Sequence, residues 1–368
     1  MARRVAVLVL AVSCAPACCL QTLRAGEIKK RLQIFGVSTH GILEKPELYE
    51  LLKQRVPEAL GSGHAVPLEV VGAADDAMGS GITVDSKRYY ALRLGLSAGT
   101  DTSNVLWVID SAASHSLLSP LASSALRMRP TGVTATADSA TSIGAGGLVQ
   151  VDCGTVCLAG GLDCGALRPV VMDLPLPGQC GLLGLDFLSK FDIDLRLRSA
   201  NPLAIFHPAG EAPQEALDGL VQLKCRRLPS GLLATQVDVG TAGGASASVD
   251  AVVDLGSCMS GLNSRAATAA GLGGEGDPRM RKTDTVIAGA TGEPVRLSEA
   301  ELEVGLGEKG SRAVTGFIAD LPIFPAIFGA EQPAMILGLD ALAPDADAGT
   351  ATSRVVLSAS TGAVWVEP

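Results

Sequence analysis

"VLWVIDSAASHSLLSP", residues 105–120, is the stretch on which the fold turns. Mostly apolar, strand-forming residues run straight into Asp110, and small residues and hydroxyls follow. A carboxylate at the end of a buried strand is costly unless it is hydrogen-bonded or paired, because desolvation penalises its charged form. Asp110 therefore calls for a partner elsewhere in the chain.

The chain supplies one by repeating itself. "VIDSAASHSLLS" recurs as "VVDLGSCMSGLNS", which sets Asp254 opposite Asp110. Each copy leads into helix-cap chemistry, Ser119 with Pro120 in the first and Asn263 before "SRAATAAGL" in the second. Further along, "GLLGLDFL" at 181–188 returns as "MILGLDAL" at 335–342, carrying Gly184 and Gly338. Between these lie "GAGGLV" (144–149) and "GATGEPV" (289–295), which suit hairpin tips; Gly144, Ala145 and Gly146 would head one, and Gly289, Ala290 and Thr291 the other. The features fall in one order in both halves, so the chain is read as an internal duplication.

Around this core the texture is all-β. From about residue 66 onward, short alternating segments such as "RYYALRLGL", "LATQVDVG" and "SRVVLSASTGAVWV" are separated by glycine-rich turns, the pattern of a sandwich or barrel. With 368 residues and 47% hydrophobic content, the chain can bury a large core and divide into two or more units. Only 3% of residues are aromatic, so that core should be built from Val, Leu, Ile and Ala. A net charge of −9 speaks against a surface for nucleic acid.

At this point the residues carry a family resemblance. Two copies of an apolar pair, Asp and small residues, each followed by an apolar pair and Gly, resemble the aspartic proteases. "RYYALRLGL" is similar to the strand ahead of the catalytic aspartate in pepsin-like members, while "ILGLD" looks more like the retropepsins. The resemblance implies a mainly β fold of two pseudo-symmetric β-barrel lobes, at 66–210 and 211–368. Each lobe would give one aspartate to a cleft covered by a flap. Asp110 and Asp254 would share one proton; one activates water and the other hydrogen-bonds the peptide carbonyl. Ser111, Ala112, Ser114, Gly256 and Ser257 would support the pair. The implied activity is aspartic endopeptidase, on a peptide or protein substrate, with no cofactor and no metal.

The pattern also departs from the family. The hydroxyl expected after each aspartate is present as Ser111, but Leu255 stands in its place in the second copy. Ala112 occupies a position where the pattern has Gly, and Cys258 is the counterpart of Ser114. Neither presumed flap carries a tyrosine. These departures motivate an alternative, a catalytically silent protein whose cleft binds a peptide or partner chain.

The first 24 residues read as a targeting segment, with Arg3 and Arg4 ahead of "VAVLVLAVSCA" and small residues after it. The expectation is removal of this segment, a secretory-pathway location with a plastid reached by that route as a further option, and no membrane association afterwards. Residues 25–57 form a charged helix-loop-helix on the spacing of Ile28, Leu32 and Phe35, then Leu48, Leu51 and Leu52 behind Pro46. This pattern resembles SAP-like helical modules, and its acidic residues favour a protein contact or a spacer. A linker is expected at 58–65. Cys153, Cys157, Cys164, Cys180, Cys225 and Cys258 permit disulfides of undetermined connectivity. "GLGGEG" at 271–276 follows a presumed helix and reads as its C-terminal loop, and "RRL" at 226–228 as solvated charge or a processing site. Two halves that complete each other's site suggest a monomer.

Overall fold

The computed structural model describes residues 23–42, 44–56, 63–72, 88–97, 105–139, 142–174, 180–197, 201–274, 276–287, 295–307, 310–344 and 353–368. The targeting segment and most of the expected linker lie outside these residues. The helical unit consists of helices Ala25–Ile34 and Lys45–Arg55, which bury Ile28 and Leu32 against each other's side of the pair together with Leu48 and Leu52. Pro46 sits in the first turn of the second helix, where its missing N–H costs nothing.

The remainder is mainly β, and its described strands form three sheets. The central sheet has six strands in the order His64–Pro67, Leu203–Pro208, Phe191–Leu197, Ser353–Ser358, Ala363–Val366, Val221–Lys224. Three precede residue 211 and three follow it, in mirrored order. The pseudo-twofold therefore passes between Phe191–Leu197 and Ser353–Ser358, which pair antiparallel with Ile193 opposite Leu357. His64 and Ala65, expected in a linker, instead begin the outermost strand, because "HAVP" buries Ala65 and Val66.

Each half then builds its own sheet by the same route. In the first lobe the strand Leu106–Ile109 runs parallel to Cys180–Leu183 and antiparallel to Arg88–Leu96. In the second, Ser246–Val253 runs parallel to Ala334–Leu337 and antiparallel to Leu233–Gly240. Parallel neighbours so close in space need a long connection between them, and here it is the whole excursion through the hairpin. The short strands Leu117–Leu118 and Gly261–Leu262 return antiparallel to the same partners. Ser119 and Asn263 then cap helices Pro120–Ala125 and Ser264–Ala269, accepting from the N–H groups of Ala122 and Ala266. The caps fall where the sequence puts them.

The hairpin readings need adjustment. The first hairpin closes between Ser139 and Ser142, with Ala137 opposite Ala145. Gly144, Ala145 and Gly146 accordingly lie within the strand Ser142–Asp152 and not at its turn. Gly289, Ala290 and Thr291 lie outside the described residues; the second hairpin is fixed by Ile287 pairing with Val295. The six cysteines from Cys153 to Cys258 are free thiols. Arg226 and Arg227 form a short strand and both are exposed, as the solvated-charge reading has it: Arg226 pairs with Asp250 at 2.8 Å and Arg227 bonds the carbonyls of Gly231 and Ala359. Gly271, at φ +86°, ends the helix before "GLGGEG" as expected of a C-terminal turn.

The central sheet is held across the halves by a buried ion pair. Arg354 donates to both carboxylate oxygens of Asp194 at 2.7 Å, and Asp194 is only 1% exposed. Alongside it, Ser358 donates to Asp192 at 2.6 Å, again from one half to the other. Removing one partner leaves the other charge desolvated. Asp194→Ala is expected to lower stability by about 3 kcal/mol or more, and the paired change Asp194→Leu with Arg354→Met to recover much of that loss; urea midpoints of the two variants check it.

Candidate active site

Each aspartate ends its strand at the same point. The Asp110 N–H donates to Leu183 O and the Asp254 N–H to Leu337 O, both at 3.0 Å, so the ladder with the parallel neighbour runs through to the carboxylate-bearing residue. The chain then turns sharply. In the first loop the Ala112 N–H donates to Asp110 Oδ1 at 2.9 Å, and in the second the Gly256 N–H donates to Asp254 Oδ1 at 2.8 Å. The N–H groups of Ala113 and Ser257 also bond the carboxyls. Small residues make these approaches possible.

The glycines that follow the parallel strands serve the same loops. A Cβ on Gly184 would stand 2.5 Å from the His115 carbonyl carbon, and one on Gly338 would stand 2.6 Å from that of Met259. Both backbones are extended, so close approach and not conformation requires glycine here. Just beyond, Leu185 N–H donates to Ala113 O and Leu339 N–H to Ser257 O, both at 2.8 Å.

Ser111 ties the two lobes together at this point. Its hydroxyl donates to Val253 O at 2.8 Å and accepts from the Leu255 N–H at 2.9 Å, both across the junction and buried. Leu255 cannot return the bond; its side chain is packed into the core at 2% exposure. The loops nevertheless touch. A methyl on Gly256 would lie 2.6 Å from Asp110 Cγ, so Asp110 faces the second loop directly. Ala112, at the equivalent place in the first loop, carries the methyl that position 256 excludes.

Both carboxyls are half-buried and tightly surrounded, and their proton affinities show it. Burial raises Asp110 to about 6 despite the opposing N–H bonds from Ala112 and Ala113. Asp254 is raised well above the ordinary carboxylate value, first by burial and then by the negative charge of Asp110. Such a pair holds a proton in common, and its two apparent titrations belong to the pair.

The sequence-predicted residues divide by what they touch. Asp110, Asp254, Ser111, Ala112, Gly256, Ser257, Gly184 and Gly338 meet at this junction. Ser114 does not serve Asp110 through its hydroxyl, which pairs with exposed His115 Nδ1 at 3.0 Å. The Ser257 hydroxyl likewise stays within its loop, donating to Met259 O at 2.7 Å. What sequence reasoning missed is a second ring of support. Asp186 accepts from the Ser116 N–H and hydroxyl at 2.8 and 2.7 Å, and the Ser116 hydroxyl accepts from the Gly184 N–H at 3.1 Å. Asp340, Ser260 and Gly338 repeat this at 2.9, 2.6 and 3.0 Å. The signal was present: both duplicates carry "GLD", and both serines follow their aspartate by the same interval. Tyr89 was also missed, although its hydroxyl meets Cys258 Sγ at 3.8 Å.

Two lobes, a shared six-stranded sheet and one aspartate loop from each lobe at the junction settle the architecture. The fold is mainly β and two-lobed, the architecture that the aspartic-protease resemblance implies. No family model matches the chain, and no curated protein does. Among solved structures it is similar to basic 7S globulin from soybean, at 10% identity and a TM-score of 0.40, over 82% of this chain and 94% of that one.

The raised carboxyls fix the sign of a stability profile. Both bind protons more tightly folded than unfolded, so the pair's contribution to stability is fully present below about pH 4 and is lost as the pH rises through about 6. Between pH 4 and 7.5 the loss should be about 1–3 kcal/mol. Asp110→Asn is expected to flatten the profile and to be the more stable protein at neutral pH, as denaturant midpoints at a series of pH values will show.

Breaking the tie between the lobes has a separate signature. Ser111→Ala strips Val253 O and Leu255 N–H of their partner in a buried place. The expected cost is about 2 kcal/mol, with a larger fractional loss of any activity than of stability.

Proposed function

We propose that the protein is an aspartic endopeptidase that hydrolyses peptide bonds with a water held between Asp110 and Asp254. The observation that supports this most is the second aspartate loop lying against Asp110, with both carboxyls raised above their ordinary range. A site that only needed polar caps would have no reason to desolvate two carboxyls beside each other. In the proposed reaction the ionised member takes a proton from water as the oxygen attacks the carbonyl carbon. The protonated member hydrogen-bonds the carbonyl oxygen, and the leaving nitrogen then takes up a proton as the C–N bond breaks. The shared proton belongs to the pair and not to either carboxyl alone. A peptide or protein substrate, a secretory setting and a monomeric state accompany this reading.

A second reading is favoured by two particular residues. Leu255 removes half of the cross-lobe tie, and Ala112 puts a methyl where the other loop has none, so a cleft that binds a peptide without turning it over is the rival.

Peptide cleavage across pH 3–7 by the wild type, Asp110→Asn and Asp254→Asn separates the two. Turnover in the wild type that falls at least a thousandfold in both variants, as loss of a paired general acid and base implies (about 10²–10⁴ for each role), supports the endopeptidase. Tight peptide binding with no turnover at any pH would give the second reading its place. Leu255→Thr, which restores the missing hydroxyl, is expected to raise activity under the first reading and to create it only under the second.

A further inference from the structure

The two aspartate loops differ in one contact with the neighbouring lobe. In the first lobe Ala91 pairs with Val108, and in the second Ala234 pairs with Val252. Val108 and Val252 each stand two residues before their aspartate, so Ala91 and Ala234 are equivalent, and so are Tyr89 and Leu232. By the same counting Cys258 and Ser114 are equivalent, each four residues after its aspartate. Only one of the two possible crossed contacts is tethered. Tyr89, from the first lobe, accepts a hydrogen bond from the Cys258 thiol on the second aspartate loop. Leu232 has no hydroxyl with which to hold the first loop, and Ser114 is turned to His115.

We propose that Tyr89 is a positioning residue whose ring, held in place by Cys258, covers the second aspartate loop and thereby keeps water away from the carboxyl there. The tether matters because a ring that swings away lets water reach the carboxyl, whereas a fixed ring excludes it. The surroundings of Tyr89 agree: its phenol is strongly held in the protonated form, first by burial and then by Cys258 and Asp254. The titratable groups that bear on Asp254 and Tyr89 are Asp110 across the junction, Cys258 on the same loop, and each other. Burial is the leading influence on Asp254, and a covering ring is a means of producing it. The inference rests on Asp110 and Asp254 forming a proton-sharing pair.

The test is a carbon-13 NMR titration of the aspartate carboxyls in the full chain, with Asp110→Asn and Asp254→Asn to assign the pair. It needs no turnover. Removing the cover admits water and favours the ionised form, so Tyr89→Ala is expected to lower the upper apparent pKa of the pair by about one unit. Tyr89→Phe and Cys258→Ala, which keep a ring but loosen it, should lower it by less than half as much. A Tyr89→Ala protein that is folded with the upper value unchanged or raised overturns the inference, and so does a Phe variant that shifts as far as Ala. Should Tyr89→Ala not fold, the absence of any shift in both Tyr89→Phe and Cys258→Ala counts against it. If the wild type itself shows no raised carboxyl, the proton-sharing reading of the site fails, which is a different result from a raised value that ignores Tyr89.

Discussion

Two carboxyls pressed together at the junction of two lobes cannot both carry charge cheaply, and much of this structure is arranged around that constraint. Each loop brings main-chain N–H groups to its carboxyl, which requires small residues. Each parallel neighbour ends in a glycine because the loop leaves no room for a side chain. The Ser111 hydroxyl bridges the lobes by using both its donor and its acceptor capacity on the opposite strand. The carboxyls remain raised in spite of their donors, so desolvation outweighs hydrogen bonding at this site.

The second level of support is more symmetric than the first. Asp186 with Ser116 and Asp340 with Ser260 brace the two glycine turns in the same way, to within a few tenths of an ångström. In the central sheet Arg354 and Asp194 join the halves, and Ser358 with Asp192 repeats the join beside it. Against that background the unequal first level stands out. Leu255 faces the core where Ser111 bridges, Ala112 carries a methyl where Gly256 cannot, and Tyr89 contacts one loop where Leu232 occupies the other's equivalent place.

Much of this was legible in the chain. The duplication appeared in "VIDSAASHSLLS" and "VVDLGSCMSGLNS", because residues that face the same packing in both lobes are held to similar types. The caps at Ser119 and Asn263 were legible because a cap acts over three residues. The flap turn was misplaced at Gly144–Gly146, since glycine also serves inside a strand, and the pairing of Ser139 with Ser142 is set by register across the hairpin. Ser114 was assigned to Asp110 by position, yet a hydroxyl takes whichever partner rotation brings within reach, and here that partner is His115 Nδ1.

The sequence by itself determined that two matched halves exist, where each aspartate ends its strand, and that small residues must follow it, for these depend on local pattern and steric size. Only the tertiary structure decided that the two loops meet, that Ser111 bridges them, and that Tyr89 reaches Cys258 in the other lobe. Those contacts join residues far apart in the chain through shared sheets and a pseudo-twofold, and no local periodicity encodes a distance across such an axis. The raised proton affinity of the carboxyls belongs to the same class, because desolvation is a property of everything packed around a group and not of the residues beside it in sequence.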